Sequence, residues 1–147
     1  MNVRLNGAWR TIDSGKVYLN GAWRTLNYAN AYISGSWRKV ATFIAQLTLA
    51  ISPTSVHATN SSTTGTATAT PSGGLGPFTY AWTLVSNSGV TGPQIASPTT
   101  ASTQFYGTPT DGSSGSCVFR CTVTDSLGST ATADITATFA TIPLGGP

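Results

Sequence analysis

Few side chains in this 147-residue sequence could do acid–base, nucleophilic or metal chemistry. There is one histidine, His57; four acids, Asp13, Asp111, Asp125 and Asp134; and two cysteines, Cys117 and Cys121. A catalytic triad would have to be built around His57. It lies between Val56 and Ala58 in a polar stretch that reads as a loop, and a solvated histidine is expected. Three of the four acids stand in or beside turn signals, where Asp caps local backbone amides. They make neither EF-hand spacing nor a paired-carboxylate motif. A calcium ion between the Asp111 and Asp125 loops is the alternative they leave. Cys117 and Cys121 are four apart in CVFRC, which reads as a strand. That places them roughly 13 Å apart, beyond the ~7 Å a disulfide tolerates. Free core thiols are expected, with intermolecular bridges as the alternative, and the second pair a zinc site wants is missing. No Gly-rich loop leads from a strand into a helix to cradle phosphate. The expectation is a non-enzyme without cofactor or metal.

The aromatic and basic residues are organised differently. Val3 to Ile12 reads VRLNGAWRTI, Val17 to Leu26 VYLNGAWRTL, and Ala31 to Val40 AYISGSWRKV. Trp9, Trp23 and Trp37 recur every 14 residues, as do Arg10, Arg24 and Arg38. A repeat of this kind is one supersecondary unit that must stack on a neighbour to bury its face. Each copy reads as a β-hairpin. Asn6-Gly7 and Asn20-Gly21 suit a type I′ turn, which needs positive φ at both central residues; Ser34-Gly35 is a weaker version. A two-residue loop pairs Leu5 with Ala8, Arg4 with Trp9, Val3 with Arg10, Tyr18 with Trp23 and Tyr32 with Trp37. Strand alternation puts Val3, Leu5, Ala8 and Ile12 on one face and the Arg4–Trp9 pair on the other. Cross-strand pairs of this sort contribute roughly 0.5–1 kcal/mol each. An isolated hairpin is marginal in water, so the repeats suggest docking, onto themselves, sister subunits or a scaffold. Trp9, Arg10, Tyr18, Trp23, Arg24, Tyr32, Trp37 and Arg38 are the candidate assembly contacts. A sugar-stacking platform is the other use such tryptophans have.

Composition sets the frame. Charged residues are only 7%, against about 25% in ordinary globular proteins, so solubility rests on Thr, Ser, Asn and Gly. Net charge is +3, and five of the seven basic residues (Arg4, Arg10, Arg24, Arg38, Lys39) lie in the repeats. There is no basic run or recognition motif for nucleic acid. The start lacks an apolar signal-peptide core, which speaks against ordinary secretion. The most apolar run, Val40 to Ile51, is too short to span a bilayer. Neither a nucleic-acid nor a membrane partner is expected.

After residue 40 the pattern changes. Residues 41–46 read as a connector. From 47 to 140 short strand-like runs alternate with Gly, Pro, Ser, Asn and Asp clusters, the pattern of an all-β sandwich. Strands are expected at 47–52, 64–70, 78–85, 102–106, 117–124 and 129–139, with 89–98 an irregular connection and 108–116 a polar loop. Trp82 shares a face with Phe78, Tyr80 and Leu84. Cys117, Phe119, Cys121 and Val123 alternate with Val118, Arg120, Thr122 and Thr124. Trp82, Phe119, Cys121 and Val123 are the expected sandwich core. Residues 141–147 are a tail.

Residues 76–82, GPFTYAW, resemble the core-tryptophan strand of an immunoglobulin-like domain of the PKD or bacterial Ig-like kind. Residues 119–132, FRCTVTDSLGSTAT, resemble its last hairpin. The antibody-type inter-sheet disulfide is absent. The repeats are similar to the NGAW-type hairpin repeats of tailed-bacteriophage structural proteins. The fold expected is all-β: a three-hairpin repeat region over 1–40, then an Ig-like β-sandwich over 47–140. What the resemblance implies is a bacteriophage virion protein assembled in the host cytoplasm and decorating the capsid. It would be anchored by 1–40 to the major capsid protein, and homotrimeric because capsid sites offer local three-fold symmetry. A tail-associated accessory protein, or an Ig-like adhesin for weak binding of host-surface glycan, is the alternative.

Overall fold

The computed structural model describes residues 2–5, 8–11, 16–19, 22–25, 28–33, 36–42 and 44–142, with side chains for Ser36 and 44–142. The chain forms two compact units, Met1–Ala45 and Gln46–Pro147.

In the first unit three antiparallel pairs form. Strand β1 (Asn2–Leu5) pairs β2 (Ala8–Thr11), β3 (Lys16–Leu19) pairs β4 (Ala22–Thr25), and β5 (Tyr28–Ile33) pairs β6 (Ser36–Thr42). The register sets Arg4 opposite Trp9, Tyr18 opposite Trp23 and Tyr32 opposite Trp37. The third pair is the longest. It takes in Tyr28, Ala29 and Asn30, a stretch that reads as a turn in the sequence, by slipping register between Ala29 and Asn30. It also runs to Thr42, into the residues expected to connect. The turns at Asn6-Gly7, Asn20-Gly21 and Ser34-Gly35, the side-chain faces of the hairpins, and the tail from Pro143 lie outside the described residues.

The second unit is a β-sandwich whose strands pair antiparallel except for β8. One sheet has the order β10 (Thr79–Ser88), β14 (Ser114–Thr124), β15 (Thr130–Ala140) and β8 (Ser55–Thr59). The facing layer holds β7 (Thr48–Ser52), β9 (Ala67–Ser72) and β12 (Ser102–Thr103), and a second pair, β11 (Val90–Ile95) with β13 (Phe105–Pro109). Thr64 stitches this layer. Its amide donates to the Phe105 carbonyl at 3.0 Å, and its buried Oγ1 accepts from the Phe105 amide at 3.0 Å.

Alternation decides which residues face inward. Along β14, Cys117, Phe119, Cys121 and Val123 are buried; along β15, Ile135, Ala137 and Phe139. From the facing layer come Ile51, Ala67, Ala69, Val90 and Phe105. Trp82 packs edge-on against Phe105, ring centroids 5.7 Å apart, and its Nε1 donates to the Thr100 carbonyl at 2.9 Å. The indole thus buries its body and satisfies its one polar group, as a core tryptophan must.

Four expectations for the sandwich need correction. The polar loop expected over 108–116 narrows to 110–113, because β13 runs to Pro109 and β14 begins at Ser114 to pair with Ala140. His57 is not in a loop: Val56 and Ala58 are buried and His57 exposed, so Ser55–Thr59 is a half-buried strand, paired in parallel with β15. The stretch 89–98 holds a strand, β11, whose Gly92 and Pro93 fall where the register slips between Thr91 and Gln94. Leu84 is 43% exposed although it alternates with Trp82. It lies on an edge strand that bulges between Leu84 and Ser86, which carries the residue to the rim.

The sandwich has two poles. Leu47, Gly74, Leu75 and the turn after Thr124 gather at the near pole, where the chain enters. Strands β8, β14 and β15 then join it to a far pole, where Asn60 N donates to Ala140 O and Thr141 N to Ser113 O. Eleven residues of β14 separate the two, roughly 33 Å.

Candidate functional site

The titratable groups of the sandwich do not converge. Asp125 sits at the near pole, almost fully buried. Its Oδ1 accepts from the amides of Leu127 and Ser129 at 2.9 and 2.8 Å, and its Oδ2 from the amide of Leu75 at 3.3 Å. Burial pushes this carboxyl up, but the amides of Ser129, Leu127 and Leu75 outweigh it and hold it below the usual carboxylate range. Asp111 is at the far pole, where the Ser113 amide donates to its Oδ1 at 2.9 Å and lowers its pKa. The calcium alternative fails on this geometry. The two acids flank opposite ends of β14, and the Asp125 oxygens are already spent on backbone amides.

Asp134 is not a turn residue. It faces Arg120 across the β14–β15 ladder, and the guanidinium grips it with two bonds, Nε to Oδ1 at 2.7 Å and Nη2 to Oδ2 at 2.8 Å. The hydrogen bond from Arg120 lowers the Asp134 pKa. Sequence reading passed over this pair because the partners are 14 residues apart; only the hairpin register brings them together. His57 Nε2 lies 3.5 Å from Ser55 Oγ on the exposed face of β8. Cys117 and Cys121 are free and buried. Desolvation raises both thiols, Cys121 to about 11. Among the described residues no three His, Cys, Asp or Glu side chains gather as metal ligands.

Of the expected core residues, Trp82 is 3% exposed and Phe119, Cys121 and Val123 are fully buried. The assembly candidates are placed by backbone alone. Trp9, Trp23 and Trp37 each stand on the second strand of a hairpin, opposite Arg4, Tyr18 and Tyr32. Arg10, Arg24 and Arg38 follow one rung on, opposite Val3, Val17 and Ala31. The same two rungs are therefore built three times.

Residues 50–139 match a protein family described as "K319L-like, PKD domain". The chain belongs to that family. Its PKD domain is the sandwich just described, from Ala50 in β7 to Phe139 in β15. A comparison with curated proteins finds no match. Among solved structures, the chain is similar to a nucleoside hydrolase-related hypothetical protein from Saccharophagus degradans that is associated with carbohydrate metabolism. The likeness has a TM-score of 0.50 at 14% identity over 69% of this chain, and spans 26% of that protein. At that identity it speaks to the PKD fold alone.

Proposed function

We propose that this PKD-domain chain is a non-enzymatic structural protein of a tailed-bacteriophage virion. In this reading it decorates the capsid as a homotrimer, with residues 1–40 anchored to the major capsid protein and the PKD domain projecting. The observation that carries the reading is the threefold recurrence of one rung pattern. An aromatic or arginine residue faces tryptophan in each hairpin, and a second arginine stands on the next rung. Each of these sheets has two strands, too few for independent stability in water. A surface that covers them would complete them. The low charge of the chain, 7%, suits a protein that spends its working life packed in an assembly.

The test is co-purification with particles. Full-length chain should band with virions, and a chain lacking 1–40 should stay folded yet remain free. A truncated chain that still bands with virions would refute the anchoring role. Full-length chain that bands with isolated tails and not with heads would move the protein to the tail.

A further inference from the structure

The far pole of the PKD domain carries an open cleft of 410 Å³, lined by Asn60, Ser61, Ser62, Thr108, Pro109 and Thr141. Its volume is in the range of small-molecule sites, but its chemistry is unusual. Hydroxyls, one carboxamide and the Pro109 ring line it, and no charged side chain does. Asn60 holds φ at +50°, a left-handed conformation that asparagine tolerates better than most residues. Its Oδ1 accepts from the Ile142 amide at 2.8 Å. That bond fixes the plane of the carboxamide and leaves the two Nδ2–H donors for a ligand.

An aromatic residue outside the lining shares the strand face of Thr108. Tyr106 is two residues before Thr108 on the outward face of β13, and both are exposed. It pairs with Thr63, next to Ser62, whose carbonyl accepts from the Gly107 amide at 3.0 Å. Tyr106 therefore stands beside the hydroxyl cluster on a strand, the more precise kind of support. Arg120 and Asp134 pair with each other well down β14, and the exposed Asp111 carboxylate, two residues beyond Pro109, disfavours an anionic ligand.

We propose that this cleft binds an uncharged oligosaccharide. Tyr106 offers its face to the apolar side of a sugar ring, and Asn60, Ser62, Thr108 and Thr141 meet the sugar hydroxyls. The chemistry selects for this class. Five of the six lining residues carry an uncharged side chain that donates or accepts, and Pro109 adds an apolar patch, so an anion finds no counter-charge in the lining, whereas a sugar finds partners for its hydroxyls and contact for its apolar face. The open shape engages one face of the sugar, so binding is weak. The assignment stands apart from hairpin anchoring, because the isolated full-length chain either binds sugar in solution or does not.

The experiment is an amide NMR titration of the full-length chain with cellohexaose, maltohexaose, mannotetraose and chitotetraose at millimolar concentration. At least one should shift the amides of Ser61, Ser62, Tyr106, Thr108 and Thr141, with a dissociation constant indifferent to salt. Tyr106→Ala and Thr108→Val, each checked for an unchanged thermal midpoint, should weaken that binding roughly tenfold, the loss of one good contact. Silence of all four sugars at these amides would overturn the proposal. So would binding that both variants retain, or binding that collapses with added salt.

Discussion

Phe105 and Phe119 meet across the sandwich with ring centroids 4.1 Å apart and planes only 11° from parallel. One ring comes from β13 and the other from β14, so this stack joins the two layers at their centre, with Trp82 closing one side. Both rings are fully buried. Phe119→Ala should cost about 3–5 kcal/mol, the range for removing a buried phenylalanine. Urea unfolding followed by circular dichroism measures it; a loss below about 1 kcal/mol would mean that the stack is not a centre of stability.

The two cysteines should behave as inert core residues. Burial raises both thiols, and Cys121 is pushed up to about 11, so little thiolate exists at pH 8. Iodoacetamide should leave the native chain unmodified and add two groups once guanidinium unfolds it. Mass spectrometry reads the difference, and rapid native labelling of either thiol would contradict the packing.

Acid should destabilise the sandwich. The carboxyls of Asp125, Asp111 and Asp134 are all held below the ordinary aspartate value of 3.8. For a group whose folded pKa is depressed, the stabilisation is full above the unfolded value and is lost as pH falls through the folded one. The unfolding midpoint should therefore be flat from pH 7 down to about 4 and decline below it. Asp125→Asn should flatten part of that decline and lower stability at neutral pH, because an Nδ2 donor would then face the Leu75 amide. An unchanged acid profile in this variant would remove Asp125 from the account.

Two glycines should respond oppositely to alanine. At Gly115 a Cβ would fall 2.1 Å from the Gly89 carbonyl oxygen and 2.8 Å from Val90, backbone and side chain with nowhere to move. Gly115→Ala should cost about 1–3 kcal/mol by prising apart the β10–β11 corner. At Gly65 a Cβ meets nothing within 4 Å, and Gly65→Ala should be neutral or slightly stabilising. Paired thermal melts decide it.

Much of this architecture was legible where alternation is strict. The strand carrying Cys117, Phe119, Cys121 and Val123 shows a clean period of two, and the turn at Asp125–Gly128 announces the hairpin that follows. The rung pairing of Arg4 with Trp9 follows from Asn-Gly spacing alone. What escaped did so for identifiable reasons. The strand Ser55–Thr59 has small and polar outward residues after Pro53, which looks like a loop until β15 pairs it. The strand Val90–Ile95 contains Gly92 and Pro93, strong breakers that a register slip absorbs. The cleft at the far pole has no motif at all. Asn60, Ser62, Thr108 and Thr141 come from three separate chain segments, and only folding brings them side by side.

Strand β8 runs parallel to β15, from Ser55 beside Thr136 to Thr59 beside Ala140. The chain enters the PKD domain at the near pole and leaves β15 at the far one, so tension through residues 46 and 141 pulls these neighbouring strands in opposite directions along their own axes. The ladder between them is then loaded in shear, its rungs sharing the force instead of parting one at a time as in a peeled hairpin.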